Sequence, residues 1–320
     1  MSITAERRIP LTLLGGFLGS GKTTWLRHQL HHGEMPDALI VVNEAANVPV
    51  DDLLLYRSLN VWVLAGGCAC CEGLEDLVQL LREFCDQRVG SDYAASRFRR
   101  VILETSGLAD PAPIAEAIQT DNILQHHIFV REIIVAVDAV HGLGYLAAEP
   151  LARCQVETAD RIIITKTDVS DIPETGRLAA TLHRLSPGAS ISSAVMGSPV
   201  DMPDHSQFEP EILADHAGSD DRPILSTVLK LDSTTDWTAF GIWLSALLHT
   251  RGDDIIRVKG VIRTPSGRLL LQSVRKSVQS PEIIPDDVAA SNDDNSVVFI
   301  GRGFRPRDLG PSLRRFSGIV

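Results

Sequence analysis

The chain has 320 residues, of which 44% are hydrophobic and 22% charged, and this length and composition suit a globular protein with one large and one smaller domain. Its formal net charge of −11 argues against a nucleic-acid partner, because nucleic-acid-binding proteins carry a basic face. No apolar run approaches the ~18 residues that span a bilayer, and none precedes the first predicted strand, so we expect no membrane partner, no secretory signal and a cytoplasmic location.

Short apolar runs alternate with helix-like stretches through the first 200 residues. The predicted strands lie, in chain order, in IPLTLLGG, ALIVVNE, NVWVLAGG, RRVILETSG, REIIVAVDA, DRIIITKTD and ASISSAV. Continuous Val, Ile and Leu strands with intervening helices predict an α/β fold, in which helices flank both faces of a parallel sheet. Polar residues or glycines follow nearly every strand, and ligands of such sheets bind at the carboxyl ends of the strands.

The pattern changes after a polar, proline-containing stretch, so we predict a first domain over 1–200, a linker over 201–223 and a smaller α+β domain over 224–320. In the last domain, ILSTVLKLD predicts a strand and TTDWTAFGIWLSALLHTRGD an amphipathic helix. The stretch DIIRVKGVIRTPSGRLLLQSV predicts a hairpin that turns at Pro265, Ser266 and Gly267. A strand in NSVVFIGRG and a helix in RPRDLGPSLRRF follow.

The segment GFLGSGKT, Gly16–Thr23, matches the pattern G-x-x-x-x-G-K-[ST] between a predicted strand and a predicted helix. Glycines let backbone N–H groups close around phosphate oxygens, and the helix N-terminus adds a partial positive charge. Lys22 can reach the β- and γ-phosphates as a catalytic cation, and the Thr23 hydroxyl can hold Mg²⁺. The residues assigned to this P-loop are Gly16, Gly19, Ser20, Gly21, Lys22, Thr23 and Thr24.

Two later motifs indicate the chemistry and the base of the nucleotide. In VILETSGLADP, Glu104 ends a strand and can act on the magnesium shell or on the attacking water, while Gly107 lets the chain approach the γ-phosphate. In IIITKTD, Asp168 can accept two hydrogen bonds from guanine N1 and N2, and the stem of Lys166 can pack on the base. Adenine cannot supply these donors, so the motif favours GTP over ATP.

Three cysteines are crowded into GGCACC, and this crowding excludes an ordinary disulfide framework. The thiolates of Cys68, Cys70 and Cys71 satisfy most of a tetrahedral Zn²⁺ or Cu(I) site and leave one position for an exchangeable ligand. Burial as small hydrophobic side chains and a redox relay are the two alternatives. Cys85 and Cys154 lie in stretches that predict helix packing positions.

The motifs GGFLGSGKTT, GGCACC, ETSGLADP and TKTD, followed by IIRVKGVI and LLLQSV, occur in an order that resembles the CobW-like family of P-loop GTPases. The resemblance spans nearly the whole chain, including a CobW-type C-terminal domain. It implies GTP hydrolysis coupled to capture of a divalent metal, zinc or cobalt, and its delivery to a client metalloprotein. It also implies that Cys68, Cys70 and Cys71 bind the metal, with Glu44 as the candidate fourth ligand and Asp51 as the catalytic residue that orients water.

The chain departs from the family pattern at two motifs. The family's base motif begins with asparagine, where this chain has Thr165, so guanine affinity or selectivity is expected to be lower. The first switch in the family resembles N-E-F-G-E-x-G-x-D, whereas this chain has NEAANVPVD. The positions that differ are Ala45, Ala46, Asn47 and Pro49, and the proline stiffens a segment that should move.

Several alternatives stay open on the sequence. A P-loop kinase would phosphorylate a small molecule without needing the cysteines, and a nucleotide-gated regulatory protein would sense zinc or thiol redox state without delivering metal. His28, His31 and His32 have a helical spacing that can bind a metal, although a polar helix end has the same pattern. No arginine finger is evident, so we expect slow hydrolysis without the client. A homodimer is among the oligomeric states left open.

Overall fold

The computed structural model describes residues 8–35, 37–44, 61–65, 73–89, 98–214, 222–231, 236–264, 267–284 and 294–317. The chain forms two compact units, Met1–Ser219 and Asp220–Val320. The end of the first domain at residue 200 and the start of the last domain at residue 224 stay a prediction. Within the described ranges, every helix is too short or too polar to cross a bilayer.

The first unit is built on a sheet whose described strands have the order β3-β2-β4-β1-β5-β6-β7-β8. Neighbouring strands are parallel from β3 to β7, and β8 runs antiparallel to β7. The strands are β1 (Ile9–Gly15), β2 (Ala38–Glu44), β3 (Val61–Ala65), β4 (Arg100–Glu104), β5 (Ile128–Asp138), β6 (Arg161–Thr165), β7 (Ser190–Val195) and β8 (Ser198–Val200).

Helices connect these strands and confirm the predicted α/β fold. They are α1 (Lys22–His31), α2 (Leu74–Val89), α3 (Pro111–Thr120), α4 (Leu124–His127), α5 (Gly142–Ala148), α6 (Pro150–Glu157) and α7 (Ile172–Leu185). Two of them begin at an aspartate cap followed by a proline in the first turn. Asp110 accepts a hydrogen bond from the Ala112 N–H at 3.0 Å, and Asp171 accepts one from the Glu174 N–H at 2.7 Å. These caps satisfy backbone N–H groups that a helix start leaves without partners.

Both faces of the sheet are covered. Consecutive residues of a strand point to opposite faces, yet Leu13 and Leu14 in β1 and Leu39 and Ile40 in β2 are all fully buried. This explains why the sequence of each central strand is a continuous apolar run rather than an alternation of apolar and polar residues.

The strand order places the carboxyl end of β1 between those of β4 and β5. In the parallel register, Leu14 lies opposite Glu104, and on the other side Gly15 lies opposite Val135, three residues before the end of β5. The turn that follows β1 therefore lies beside the end of β4 and the last residues of β5. Such an edge is where ligands of parallel sheets bind.

The described residues 201–214 of the predicted linker lie against α7 within the first unit. The ring of Phe208 packs on Gly176, where a Cβ would come within 2.4 Å of the ring. The backbone N–H of Glu211 donates to Thr181 Oγ1 at 2.8 Å. A short 3₁₀ helix, His205–Gln207, precedes Phe208. This stretch therefore packs on α7 in addition to extending the chain beyond β8.

The second unit is an antiparallel sheet with the described strand order β12-β11-β10-β14-β9, in which β13 also pairs with β11. Its strands are β9 (Ile224–Lys230), β10 (Ile255–Thr264), β11 (Gly267–Val274), β12 (Ser277–Val278), β13 (Glu282–Ile284) and β14 (Ser296–Arg302). Its helices are α8 (Trp237–Arg251) and α9 (Pro306–Ser317). The predicted α+β class and the hairpin are confirmed, because Thr264 pairs with Gly267 at the end of the β10–β11 ladder. Phe240, Trp243 and Phe299 form its aromatic core.

Candidate nucleotide site

A glycine turn connects β1 to α1. Gly16 has φ 136°, and a Cβ there would lie 2.3 Å from the carbonyl oxygen of Ala136, so no larger residue fits without moving the backbone of β5. Gly19 and Gly21 also have positive φ, and α1 begins directly after Gly21. A tight turn that leads into a helix N-terminus presents backbone N–H groups to an anion.

Lys22 folds back over this turn. Its side chain is 9% exposed, and Nζ donates to the carbonyl oxygens of Gly16 at 2.8 Å and Phe17 at 3.2 Å. These bonds hold the ammonium group at the glycine turn, where a bound phosphate would meet a positive charge of low solvent exposure. Nearby, the hydroxyl of Ser20 is buried and has no hydrogen-bond partner among the described residues, so the turn retains a polar atom that a ligand or a water molecule can satisfy.

Thr23 and Glu104 meet at the first turn of α1. Thr23 Oγ1 donates to Glu104 Oε1 at 2.5 Å, and Glu104 is 2% exposed. The contact joins residues 81 positions apart, and it exists because β4 lies beside β1. A hydroxyl and a carboxylate are oxygen ligands of the kind that Mg²⁺ prefers, so this pair fits the magnesium ion that a nucleotide would bring.

The loop after β4 lies against the glycine turn. A Cβ at Gly107 would come within 2.8 Å of the backbone nitrogen of Leu18, so the two backbones are in close contact. The N–H of Thr105 donates to the carbonyl of Leu14 at 2.9 Å, which ties the start of the loop to β1. The loop, residues 105–109, thus brings Gly107 against the glycine turn.

The base motif lies at the end of β6. Lys166 has φ 58°, and its Nζ bonds to Asp138 Oδ2 at 2.5 Å, while the side chain of Asp168 is exposed. Thr165 is 6% exposed, and its hydroxyl donates to the carbonyl of Ser20 at 2.8 Å. A threonine hydroxyl has one hydrogen, and here that hydrogen serves the glycine turn. The Thr165 hydroxyl therefore has no further hydrogen to donate to a ligand.

Asp138, at the end of β5, is a site residue that the sequence analysis did not single out. Its sequence position could have identified it, because Asp138 is an acid at the carboxyl end of the predicted strand REIIVAVDA. Burial would raise the pKa of Asp138, but hydrogen bonds from Lys166 and from the backbone of Val140 and His141 hold the pKa below its usual value. The carboxylate therefore stays ionised at neutral pH and fixes the ammonium of Lys166.

This pair gives a prediction about the pH dependence of folding stability. A depressed folded-state pKa means that Asp138 stabilises the fold above the unfolded-state pKa of about 3.9 and that this contribution is lost as pH falls through the lower folded-state value. We expect Asp138→Asn to lower the free energy of unfolding at neutral pH by about 1–3 kcal/mol, with the difference from wild type shrinking below about pH 4. Urea unfolding of the nucleotide-free protein at several pH values measures this, and a difference that is constant with pH would contradict it.

The remaining predicted site residues fall partly outside the described part of the chain. The backbone of Glu44 ends β2, while Asp51, Cys68, Cys70 and Cys71 lie outside the described residues. In the register of the sheet, Glu44 pairs with Ala65, the last residue of β3 before the cysteine segment. The strands β2 and β3 therefore end at neighbouring positions of the sheet.

No group of three His, Cys, Asp or Glu side chains is arranged to hold a metal within the described ranges. The histidines of α1 form ring contacts instead. The rings of His28 and His32 are 4.2 Å apart, and His28 Nε2 lies 2.8 Å from Ser198 Oγ. These contacts favour the interpretation of the histidines as a polar helix end.

Two family models match the chain. Residues 10–193 match the one described as CobW/HypB/UreG, nucleotide-binding domain. Residues 224–317 match the one described as Cobalamin synthesis protein cobW C-terminal domain. The first match covers more than half of the 320 residues and lies in the first unit, and the second match lies in the second unit.

Similar proteins include zinc chaperones and GTPases. The zinc chaperone YjiA of Escherichia coli (strain K12) is 32% identical over 281 residues, which cover 84% of this chain and 86% of that protein. The zinc-regulated GTPase metalloprotein activator 1 of Schizosaccharomyces pombe is 30% identical over 173 residues, which cover 50% of this chain and 39% of that protein. The crystal structure of zinc(II)-bound YjiA GTPase from E. coli has a TM-score of 0.57 at 25% identity and covers 98% of this chain and 99% of its own.

Proposed function

Because the chain belongs to the CobW/HypB/UreG family of nucleotide-binding proteins, we propose that it is a GTPase that binds zinc and delivers it to a client metalloprotein. The observation that carries the nucleotide part is the contact of Thr23 with Glu104 beside the glycine turn and Lys22. The metal part is supported by the names of the relatives, which are zinc chaperones and a zinc-regulated activator of metalloproteins.

Different groups in and beside the glycine turn would bind the phosphates and the magnesium ion. Backbone N–H groups between Gly16 and Gly21 would donate to the phosphate oxygens, and Lys22 would move its ammonium from the turn carbonyls toward the β- and γ-phosphates. Thr23 and Glu104 would hold Mg²⁺, which, when bound, neutralises charge on the phosphate oxygens. Gly107 would bring the backbone of its loop to the γ-phosphate, and Asp51 would orient the attacking water.

The base would lie on Lys166 and be recognised by Asp168. The bond to Asp138 holds the ammonium of Lys166 to one side, and this leaves the aliphatic stem as the surface for the base. The exposed carboxylate of Asp168 can accept from both guanine N1 and guanine N2. Thr165 would contribute through the glycine turn rather than through the base, in keeping with the lower guanine selectivity that the sequence departure predicts.

Zinc would be the cargo of Cys68, Cys70 and Cys71, with Glu44 as the fourth ligand. Three thiolates and one carboxylate make a four-coordinate site of the kind zinc prefers, and the weaker carboxylate leaves one exchangeable position for transfer. Zinc is proposed over cobalt because the relatives are named zinc chaperones. A reducing cytoplasm would keep the thiols available for metal binding.

Nucleotide binding and zinc binding would be coupled through the ends of β2 and β3. Glu44 and Ala65 pair in the sheet, so movement of the first switch on GTP binding would displace the start of the cysteine segment. Hydrolysis would return the first switch to the conformation that it has without GTP and would change the affinity for zinc. The client would accelerate the slow intrinsic hydrolysis.

Equilibrium dialysis of zinc in the presence of GTPγS or GDP tests this proposal. We expect zinc affinity to differ between the two nucleotides by about tenfold or more, and to fall by more than about 10³-fold when Cys68, Cys70 and Cys71 are all replaced by serine. Equal affinity with both nucleotides would reject the coupling. A substrate-dependent ADP product would instead identify a kinase.

The other two cysteines provide the matched control. Burial raises the pKa of Cys85 to about 12, so its thiol stays protonated at neutral pH and is a poor metal ligand. The variant Cys85→Ala with Cys154→Ser should therefore keep wild-type zinc affinity. Loss of zinc in this control, with retention in the triple serine variant, would place the metal away from the cysteine segment.

A further inference from the structure

Gln155, on α6, is buried beside the loop that follows β4. Its side chain is 1% exposed, and Nε2 donates to the carbonyl oxygens of Gly107 at 3.2 Å and Ala109 at 2.7 Å. A glutamine amide has two N–H donors, and here both go to one loop. The contacts join residues 48 and 46 positions apart, so they result from tertiary packing rather than from local sequence.

The loop contacts both the glycine turn and α6. Gly107 lies against the backbone of Leu18 in the glycine turn, and its carbonyl oxygen accepts a hydrogen bond from Gln155. Inside the loop, the N–H of Ala109 donates to the carbonyl of Ser106 at 3.0 Å, which closes a tight turn around Gly107. The amide of Gln155 is therefore one of the groups that hold Gly107 against the glycine turn.

The helices α5 and α6 contact the glycine turn as well as this loop. The ring of Tyr145 in α5 lies 4.7 Å from the ring of Phe17, centroid to centroid. Phe17, Ser20, Tyr145 and Gln155 also line a common cavity of about 20 Å³, whose remaining walls are mostly apolar. The two helices thus hold the turn and the loop in a fixed relation to each other.

We propose that Gln155 is a positioning residue for the γ-phosphate, because it holds the loop of Gly107 against the glycine turn and so sets the preference for GTP over GDP. This inference rests on the proposed GTPase function. A diphosphate does not reach the loop, so loss of the amide should weaken triphosphate binding and leave diphosphate binding nearly unchanged. Packing alone would be served as well by an apolar side chain, because Val135, Leu146 and Val156 line the same cavity.

The test compares the dissociation constants of GTPγS and GDP for wild type, Gln155→Met and Gln119→Met. Gln155→Met keeps the side-chain length and removes both donors. Gln119, on α3, is likewise a buried glutamine, at 7% exposed, and its replacement controls for the loss of a buried amide. For Gln155→Met we expect the dissociation constant of GTPγS to rise about tenfold and that of GDP to change by less than about twofold. For Gln119→Met we expect both dissociation constants to equal those of wild type.

The outcomes separate this inference from the proposed function. If wild type binds neither nucleotide, the proposed GTPase function fails and the inference fails with it. If wild type binds both and Gln155→Met keeps the wild-type ratio, or loses both nucleotides equally, only the role of Gln155 is overturned. We also expect the backbone amides of residues 105–109 to exchange hydrogen faster in Gln155→Met than in wild type, while the amides of α1 exchange at the wild-type rate. Wild-type exchange at residues 105–109 would also overturn the role of Gln155.

Discussion

Replacing Lys22 by alanine is expected to lower kcat/KM for GTP hydrolysis by about 10³-fold or more. Removal of one preorganised donor to a developing oxyanion costs about 10²–10³-fold, and Lys22 supplies a full charge at a position of low exposure. Its bonds to Gly16 and Phe17 hold the ammonium at the glycine turn, so the replacement removes the charge from the turn that would bind the phosphates. Phosphate release from GTP under single-turnover conditions measures the effect.

The control for this prediction is Lys276→Ala. Lys276 lies in the second unit, is about half exposed and pairs with Asp253 at 2.8 Å, so its replacement removes a lysine that belongs to a surface ion pair rather than to the G-x-x-x-x-G-K-[ST] pattern. Hydrolysis should stay at the wild-type rate in that variant. Near-wild-type hydrolysis by a folded Lys22→Ala protein would show that the glycine turn is not the site of GTP hydrolysis.

Replacing Asp168 by asparagine is expected to weaken GTP binding by about 10²–10⁴-fold, because two hydrogen bonds from guanine to a charged acceptor are lost at about 1.5–3 kcal/mol each. Asparagine adds an amide donor that suits the carbonyl oxygen at C2 of xanthine, so affinity for XTP should rise in the same variant. Because Asp168 is exposed, the fold should be unaffected. Competition binding with GTP and XTP measures both changes.

Asp201→Asn is the matched control, since Asp201 is an exposed aspartate of the same unit that lies outside the base motif. It should leave the preference for GTP unchanged. If Asp168→Asn bound GTP as wild type does, the base would have to be recognised elsewhere, and the assignment of TKTD as the base motif would be wrong.

Thr165 shows what a sequence departure can and cannot predict. The replacement of asparagine by threonine indicated weaker base recognition, because a hydroxyl has fewer hydrogen-bonding groups than an amide. The structure adds that the hydroxyl is directed to the carbonyl of Ser20, beneath the glycine turn. The sequence could not reveal this contact, which spans 145 positions and depends on the place of β6 in the sheet.

The central strands of the first unit were predictable because each is a continuous apolar run that ends in polar or glycine residues. The short strands β8, β12 and β13 were not predicted, since two or three residues carry too little pattern to distinguish a strand from a turn. Residues 201–214 were assigned to a linker because of their polar and proline-rich composition. Composition does not show that Phe208 packs on Gly176, because that contact depends on the placement of α7, an earlier helix of the chain.

The sequence by itself determined the glycine turn, the lysine and threonine that follow it, the acid at the end of β4 and the TKTD motif, because each is a local pattern whose chemistry depends on residue type and spacing. Only the tertiary structure decided which of these groups meet. Thr23 contacts Glu104 across 81 positions, Lys166 contacts Asp138 across 28, and Gln155 contacts Gly107 across 48. Such contacts depend on strand order and helix placement, which result from packing of the whole core rather than from any one segment.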